Sequence, residues 1–294
     1  MIELRDMQLL VALARHRHFA RAARDVGISQ PAFSVRIRKL EAELGVTIVA
    51  RGNRFQGFTE QGEALVRRAR SILADAKAME VEARAAQGVV SGLLVLGVVP
   101  TALAWAARLS LSMRAEFPDI TTRIESATSL AIQQGVEDGS LAAGITYADG
   151  VSTDLHTIRP LYDERYVLLA PVALAPRPEG TITWAEAASL PLSLLEPQMQ
   201  NRRILDRMFA EAGVRPDVIA ETNAFTTSII LARAGRAATI MPEVLLDALG
   251  PFPGTCILPL SDPPLAKSIC LISSNRSPGL ATVEALRRHL SGDP

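Results

Sequence analysis

The side chains best suited to chemistry lie in the first 60 residues, where amide and basic groups are spaced for contact with nucleic acid. Gln30 and Ser34 stand one helical turn apart in the segment 30–44, and Arg36 and Arg38 follow on the face opposite its apolar residues. Gln can pair with adenine, whereas the two arginines can reach guanine or phosphate, and the sequence leaves that choice open. This spacing predicts a helix whose N-terminal half contacts DNA bases.

Three short helices are predicted around these residues. Apolar residues at helical spacing define the first at 7–16 and the second at 20–26, which Gly27 ends. Ser29 is a good N-cap for the third helix, and Pro31 fits its first turn. Three short helices with a turn between the second and third form a helix-turn-helix.

A basic hairpin is predicted next. The segment 46–59 has the pattern of two short strands, and the turn between them contains Arg51 and Arg54. A hairpin beside a helix-turn-helix is a wing, and we expect its arginines to contact the DNA backbone or the minor groove. The full set of expected DNA contacts is Ser29, Gln30, Pro31, Ser34, Arg36, Arg38, Arg51 and Arg54.

A long helix is predicted from about residue 59 to 87, with Thr59 as its N-cap. Apolar residues recur along it at alternating intervals of four and three, which is the heptad pattern of a coiled coil. We expect these residues to form a dimer interface; they are Leu65, Ala69, Ile72, Ala76 and Met79. The alternative, a helix packed only on its own domain, stays open.

Charge is divided unevenly between the two parts of the chain. Residues 1–88 contain 15 Lys and Arg against 10 Asp and Glu, whereas residues 89–294 contain 16 against 21. This asymmetry favours an anionic partner for the N-terminal part.

From residue 93 the pattern changes to alternating strands and helices, which predicts an α/β domain with a parallel sheet covered by helices. Strands are predicted at 93–99, 121–126, 141–147, 166–169, 192–195, 218–221, 238–241 and 268–273, and helices from after Pro100 to about 117 and at 129–137, 184–188, 201–212, 226–234 and 282–290. The sequence contains no phosphate-binding loop, nucleophile elbow, dinucleotide fingerprint or metal-ligand cluster. We therefore predict no catalytic residue, no metal and no cofactor.

The first 62 residues resemble the DNA-binding head of the LysR family. The resemblance lies in FARAA (19–23), SQPAFS (29–34) and IRKLEAELG (37–45), followed by Arg51, Arg54, Thr59 and Gly62. The rest of the chain resembles the family's effector domain more loosely, through the segments 161–165, 234–237 and 241–242. Departures from the family pattern stand at Val35, Val49 and Ala142, where Arg, Phe and Asp are frequent.

The resemblance implies an α-rich winged helix-turn-helix head and a long linker helix, followed by a two-lobed α/β domain similar to periplasmic binding proteins. We expect a DNA-binding domain at 1–58, a dimerising helix at 59–88 and an effector-binding domain at 92–294. Lobe I is expected at 92–161 and 266–294, and lobe II at 162–265.

A small molecule is expected between the lobes, at strand ends and helix starts. Thr101 and Thr128 each follow a strand and open a helix, and the resemblance places effector contacts there. The full set of expected contacts is Thr101, Ala102, Thr128, Ser193, Gln200, Asn201 and Thr226. Each polar member can instead be a plain N-cap. Because helix N-termini favour negative charge, we expect an organic anion.

The function that the resemblance implies is a transcriptional regulator that binds double-stranded DNA as a homodimer or homotetramer, with RNA polymerase as a further partner. The sequence has no N-terminal signal pattern and no apolar run near membrane-spanning length, so we expect a cytoplasmic protein without membrane contact.

Two other functions are compatible with parts of the sequence. A redox sensor would use Cys256 and Cys270, but both lie in apolar, strand-like runs without flanking bases, so we expect buried, inert thiols. A periplasmic solute-binding protein would explain the α/β part of the chain, but not residues 1–88.

Overall fold

The structure is a computed structural model, and it describes residues 2–50, 55–85, 90–275 and 280–292. In the long helix, the side chains at 77, 78 and 80–85 are outside that description. The helices are α1 (Leu4–His16), α2 (Phe19–Asp25), α3 (Gln30–Leu44), α4 (Glu60–Ala85), α5 (Leu103–Glu116), α6 (Ser129–Glu137), α7 (Trp184–Ala188), α8 (Gln200–Glu211), α9 (Phe225–Arg233), α10 (Glu243–Leu249) and α11 (Ala281–Gly292). The strands are β1 (Gly92–Val98), β2 (Ile120–Ser126), β3 (Ala143–Tyr147), β4 (His156–Pro171), β5 (Ile182–Thr183), β6 (Pro191–Leu195), β7 (Asp217–Thr222), β8 (Thr239–Pro242), β9 (Thr255–Ser261) and β10 (Ala266–Ser274).

Helices α1 to α3 form the head, and α3 has the bounds that its sequence predicts. Its N-cap Ser29 accepts a hydrogen bond from the Ala32 amide at 3.4 Å, and its C-cap Gly45 has a φ of 68°. Phe33 and Ile37 are buried in the head's core. A serine and a glycine at the two ends define the helix because each satisfies backbone groups that the helix itself leaves unpaired.

The base of the predicted hairpin is present. Val49 and Phe58 form an isolated antiparallel bridge, and the Ala50 amide donates to the Gly57 carbonyl at 3.0 Å. The predicted turn with Arg51 and Arg54 lies outside the described residues.

Helix α4 begins directly against this hairpin. Thr59 is its N-cap, as expected, because its hydroxyl accepts a hydrogen bond from the Gly62 amide at 2.9 Å. The same hydroxyl donates to the Thr47 carbonyl at 2.6 Å. A Cβ at Gly62 would lie only 2.0 Å from the Ile48 carbonyl oxygen, so only glycine allows this close approach.

The first half of α4 packs on its own head. Val66 and Ala69 are buried in the same core as α1, and Leu65 and Ile72 are partly buried against it. Ala69, which we expected in a dimer seam, is therefore already buried within the protomer. Met79, farther along the helix, is 69% exposed. The helical spacing of apolar residues does not show whether they pack within their own protomer or against a second one.

The long strand β4 connects the lobes of the α/β domain. One eight-stranded sheet runs in the order β2-β1-β3-β10-β4-β9-β5, with β8 also paired to β4, and β6 and β7 form a second pair. Strands β1, β2 and β3 are parallel in lobe I. The 16-residue strand β4 pairs with β10 over its first part and with β8 and β9 over its second. This is the two-lobed α/β architecture that was predicted.

Strand β4 and helix α10 differ from the predictions, and the two-residue strand β5 was not predicted either. Strand β4 begins at His156, ten residues before the predicted start. The prediction missed the first part of this strand because it is half-exposed and contains charged residues such as Arg159 and Asp163. Helix α10 was not predicted, since seven residues are too few to establish a helical period.

Within the described ranges, no helix has both the length and the apolar character needed to cross a membrane. In the same ranges, no three His, Cys, Asp or Glu side chains are grouped so that they could hold a metal ion.

Candidate DNA interface and effector cleft

The N-terminal half of α3 presents polar groups on the surface of the head. Gln30, Pro31 and Arg38 are exposed, and Ser34 is half-buried. The Gln30 amide nitrogen donates to the Ser34 hydroxyl at 3.1 Å, so these two side chains are already side by side. Ser29, also expected at DNA, has its hydroxyl engaged as the N-cap of this helix.

Arg36 points elsewhere, which revises its expected role. Its Nε donates to an Asp6 carboxylate oxygen at 2.6 Å and its Nη2 to Glu3 at 2.7 Å. Burial of Asp6 opposes its ionisation, but the hydrogen bonds from Arg36 and from the Glu3 amide hold its pKa below the usual value. The guanidinium therefore joins α3 to α1 and is not free for DNA.

Val35, where the family pattern has Arg, is 56% exposed on α3. A small apolar side chain in this place offers contact to a thymine methyl group rather than a hydrogen bond. The helix therefore carries a mixed surface of amide, hydroxyl, methyl and guanidinium groups.

A cavity of about 620 Å³ lies between the lobes of the α/β domain. This volume suits a small-molecule ligand. Its walls come from the start of α5, the end of β2, and helices α8, α9 and α10; the lining residues are Pro100, Leu103, Ser126, Met199, Asn223, Ala224, Phe225, Thr226, Ile229, Ile230, Arg233, Leu245, Leu249 and Phe252. Arg233 is the single charged residue among these described lining residues.

Two helices begin at the wall of this cavity without a side-chain cap. The N-caps of α8 and α9 are Met199 and Ala224, and neither makes a side-chain hydrogen bond to its helix. The first-turn amides of a helix have no partner within it, and the helix dipole is positive at that end. Asn201 is buried at the start of α8, and in the described structure neither its amide nitrogen nor its amide oxygen has a hydrogen-bond partner. This arrangement can accept a negatively charged group.

The expected effector residues fall at different distances from the cavity. Thr226 lines it, and Gln200 and Asn201 follow the lining residue Met199. Thr101 and Ala102 lie between the lining residues Pro100 and Leu103, but both are fully buried behind the wall.

Two expected effector residues have structural roles. Thr128 is the N-cap of α6, because its hydroxyl accepts a hydrogen bond from the Ala131 amide at 3.2 Å. Ser193 is buried, and its hydroxyl lies 2.8 Å from that of Ser228. Neither is among the residues that line the cavity.

Sequence reasoning missed the apolar wall of the cavity and its cation. Phe225, Ile229 and Arg233 come from α9, and Leu245 and Leu249 come from the unpredicted α10. Apolar residues on a helix are ordinarily assigned to a core, so they give no separate signal for a ligand.

Sequence reasoning also missed a buried chain of hydroxyl groups beneath the cleft. The Thr101 hydroxyl lies 3.1 Å from that of Tyr147, which lies 3.0 Å from that of Tyr166. The Tyr166 hydroxyl donates to the carboxyl group of Glu164. Burial raises the pKa of Glu164 to about 7, although hydrogen bonds from the hydroxyls oppose the shift. In the sequence, the alternation of Tyr162, Glu164 and Tyr166 was the pattern from which a polar cluster on one face of a strand could have been predicted.

The two cysteines are buried and far apart. Cys256 pairs with Ala170 and Cys270 with Pro160, both on strand β4. Ten residues along a strand separate these partners by roughly 30 Å, much farther than a disulfide spans. Burial raises the pKa of Cys270 to about 11 and also raises that of Cys256. Neither thiol has the environment of a reactive thiolate.

Two family descriptions match nearly the whole chain. The family "Bacterial regulatory helix-turn-helix protein, lysR family" matches residues 4–63. The family "LysR substrate binding domain" matches residues 87–293.

Curated relatives match over more than nine tenths of their length. The chain is 29% identical to the "Hydrogen peroxide-inducible genes activator" of Haemophilus influenzae, over 94% of this chain and 92% of that one. It is also 29% identical to the "DNA-binding transcriptional dual regulator OxyR" of Escherichia coli, over 99% of this chain and 97% of that protein.

Solved structures share the fold. A full-length OxyR variant from Pseudomonas aeruginosa matches with a TM-score of 0.75 at 23% identity, over 100% of this chain and 99% of that one. Full-length CbnR in complex with its target DNA matches with a TM-score of 0.70 at 22% identity, over 98% and 100% of the two chains.

Proposed function

Since the chain belongs to the LysR family of bacterial regulatory proteins, we propose that a small organic anion in the inter-lobe cleft controls how its head binds DNA. The chain is a DNA-binding transcriptional regulator with an effector-binding domain, and its family consists of regulators rather than enzymes. The observation that carries the proposal is the cavity of about 620 Å³ at which α8 and α9 begin and which Arg233 lines.

The anionic character of the effector follows from the polar groups around an otherwise apolar cavity. Uncapped starts of two helices offer amide hydrogens, and Arg233 adds a formal positive charge. Asn201 adds an unpartnered amide at the start of α8. A carboxylate would satisfy these donors, while the apolar wall from α9 and α10 would accept a short hydrocarbon part.

In the proposed DNA complex, α3 enters the major groove with its N-terminus first. Gln30 and Ser34 would contact base edges, Arg38 a base or a phosphate, and Pro31 the groove wall. Arg51 and Arg54, from the sequence of the wing, would contact the backbone or the minor groove.

The proposed assembly is a homodimer or a pair of homodimers, joined through the face of α4 that its own head leaves exposed. Met79 would lie in that interface together with the exposed edges of Ile72, Ala76 and Leu65. Two heads on one DNA bind far better than one, because the second contact is made at a high effective concentration. A regulator that acts in this way works in the cytoplasm, beside the chromosome and RNA polymerase.

The names of the curated relatives raise peroxide sensing as a second function, but this chain's own cysteines do not favour it. Cys256 and Cys270 are both buried with raised pKa values, and roughly 30 Å of strand lies between their partners. A disulfide between them would require that β4 be taken apart.

Calorimetric titration of matched carboxylates and amides into the full-length protein tests the effector class. Lactate and succinate would be compared with lactamide and succinamide, in wild type, Arg233→Gln and the control Arg207→Gln. Arg207 is exposed on α8 outside the cavity lining, so its loss changes the net charge equally.

We expect a carboxylate to bind wild type and the control, and to bind Arg233→Gln about tenfold more weakly. Equal binding of the amides, or binding of none of these compounds, would contradict the anionic class.

A further inference from the structure

A continuous chain of hydrogen bonds crosses from lobe I to the start of lobe II. Thr101 and Tyr147 belong to lobe I, whereas Tyr166 pairs with Pro242 of β8 in lobe II. Glu164 ends the chain, on the part of β4 that pairs with β10. The lobes are therefore connected by side chains at the place where β4 passes between them.

The register of the sheet puts these groups on one face. Tyr162, Glu164 and Tyr166 alternate along β4, so their side chains share a face. Tyr147 and Tyr162 both stand opposite Ile269 of β10, which places Tyr147 on that same face. The start of α5 covers this face, since the ring of Trp105 stacks on that of Tyr162 at 6.1 Å between centroids.

Glu164 is a buried carboxyl group without a cationic partner in the described structure. It is 1% exposed, and its Oε2 has no hydrogen-bond partner among the described residues. Lys267 stands opposite it on β10, but the Lys267 ammonium binds Asp149 at 2.8 Å. On α5, Arg108 is near Tyr162, where its positive charge opposes the rise in the tyrosine's pKa that burial causes. The groups that hydrogen-bond to Glu164 are neutral hydroxyls.

Two of these hydroxyls belong to tyrosines that stay protonated. Burial raises the pKa of Tyr147 and of Tyr166 well above the ordinary value. For Glu164, burial raises the pKa to about 7. The carboxyl is thus the one member of this chain that exchanges a proton near neutrality.

We propose that Glu164 is a proton-binding site that couples the contact between the two lobes to pH. The proton itself is the ligand, and the site is the hydroxyl chain from Thr101 to Glu164. The regulatory consequence rests on the proposed function, because it requires that the arrangement of the lobes matter for DNA binding.

The protonation state of Glu164 sets the direction of the hydroxyl chain. An ionised carboxylate accepts from Tyr166, so each hydroxyl donates one step toward it and Thr101 donates to Tyr147. A protonated carboxyl can donate to Tyr166, which reverses the chain and leaves the Thr101 hydroxyl proton free to point away from Tyr147. Thr101 lies directly behind Pro100 and Leu103 in the cleft wall, so the state of Glu164 reaches the effector cavity.

The sign of the stability effect follows from the raised pKa. A carboxyl that holds its proton more tightly when folded stabilises the folded state fully only below its ordinary pKa of 4.5, and that contribution is lost as pH rises from there through about 7. Ionisation above that pH places an uncompensated charge in the buried site.

The test compares thermal unfolding of the full-length wild type with Glu164→Gln between about pH 6 and about pH 8. The glutamine keeps the size and the uncharged state of the protonated carboxyl. We expect the melting temperature of the wild type to fall, relative to that of Glu164→Gln, as pH rises. The four histidines are common to both proteins, so their titration cancels in the difference. The control is Glu211→Gln, an exposed glutamate at the end of α8, whose profile should follow that of wild type.

Two further measurements keep the proposal testable if Glu164→Gln folds poorly. Tyr166→Phe removes the hydroxyl that donates to the carboxylate, so the midpoint of the pH profile should move upward. Hydrogen exchange of the amides at 162–166 should be faster in wild type than in Glu164→Gln at about pH 8, and the difference should be smaller at about pH 6.

Identical pH profiles in wild type, Glu164→Gln and Tyr166→Phe would overturn the proton site. A pH-dependent profile without any difference in exchange at 162–166 would overturn its coupling to the lobe contact. Neither measurement uses DNA or an effector, so failure here is separate from failure of the proposed function.

Discussion

The guanidinium of Arg70 donates a hydrogen bond to the carboxylate of Asp138 at 2.9 Å, and this ion pair joins α4 to lobe I of the effector domain. The Asp138 side chain is only 7% exposed. Gly139, the next residue, also packs closely on α4, since a Cβ added to it would lie only 2.9 Å from the Cβ of Ala74. Helix α6 has Thr128 as its N-cap, two residues after the cavity-lining residue Ser126, and Asp138 as its C-cap, so a single helix lies between the cavity and this contact with α4.

A double-mutant cycle of Arg70→Gln and Asp138→Asn measures this contact. We expect each single variant to lower the thermal stability, and the pair to show a coupling of about 1 kcal/mol, because Arg70 remains partly exposed. The control is Arg67→Gln, which removes an exposed charge from the same helix. Additive effects of the two substitutions would show that the ion pair does not form in solution.

Arg36 and Arg38 are expected to respond differently to the same substitution. Arg36→Gln leaves the carboxylate of Asp6 buried without its partner, so the head should melt several degrees lower. Arg38→Gln should leave the melting temperature unchanged and reduce the slope of log K against log salt by about one, as loss of a phosphate contact does.

Calorimetry of the free proteins and fluorescence anisotropy on DNA separate the two effects. A reduced salt slope for Arg36→Gln in folded protein would contradict its assignment to the contact between α1 and α3.

The head could be predicted closely from sequence because its local signals agree with its tertiary structure. Ser29 and Gly45 define α3 by caps, and Thr59 begins α4 in the same way. The role of Arg36 could not be predicted, since its partners Glu3 and Asp6 are about 30 residues away and only the packing of α1 against α3 brings them near. Sequence spacing gives the face of a helix, not what lies opposite it.

A cavity between the lobes could be predicted from the sequence, but the residues that line it could not. Thr226 and the start of α8 were expected and lie at the cavity. Arg233 and the apolar wall were not expected, because they converge from helices far apart in sequence. Ser193 and Thr128 satisfied the same local pattern as ligand contacts, yet they pair with Ser228 and cap α6. A polar residue at a helix start has two uses, and only the tertiary structure distinguishes them.

Met79→Glu is expected to weaken self-association about tenfold or more, because it places a charge in the proposed apolar contact between α4 helices. Sedimentation velocity over a range of concentrations measures the effect. The matched control is Val172→Glu, which puts the same charge at an exposed apolar position after β4. If both variants self-associate like wild type, the exposed face of α4 is not the dimer contact.

Exposure to hydrogen peroxide is expected to leave DNA binding unchanged. With the pKa of Cys270 raised to about 11 by burial, roughly one thiol in ten thousand is ionised at neutral pH, and Cys256 is also shifted away from thiolate. Mass spectrometry of peroxide-treated protein should find both thiols unmodified. A peroxide-dependent change in DNA affinity that disappears in Cys256→Ser, Cys270→Ser would establish the redox function instead.

Binding of the purified protein to the DNA upstream of its own gene, followed by selection from random DNA, tests the central claim most directly. Wild type would be compared with Arg51→Gln, Arg54→Gln in the wing and with the charge-matched control Arg207→Gln, Arg215→Gln in lobe II. The account predicts specific, salt-dependent binding that is kept in the control and lost in the wing variant. If folded, dimeric wild type bound no upstream DNA and the selection returned no preferred sequence, the account of the head as a sequence-specific DNA-binding unit would be contradicted.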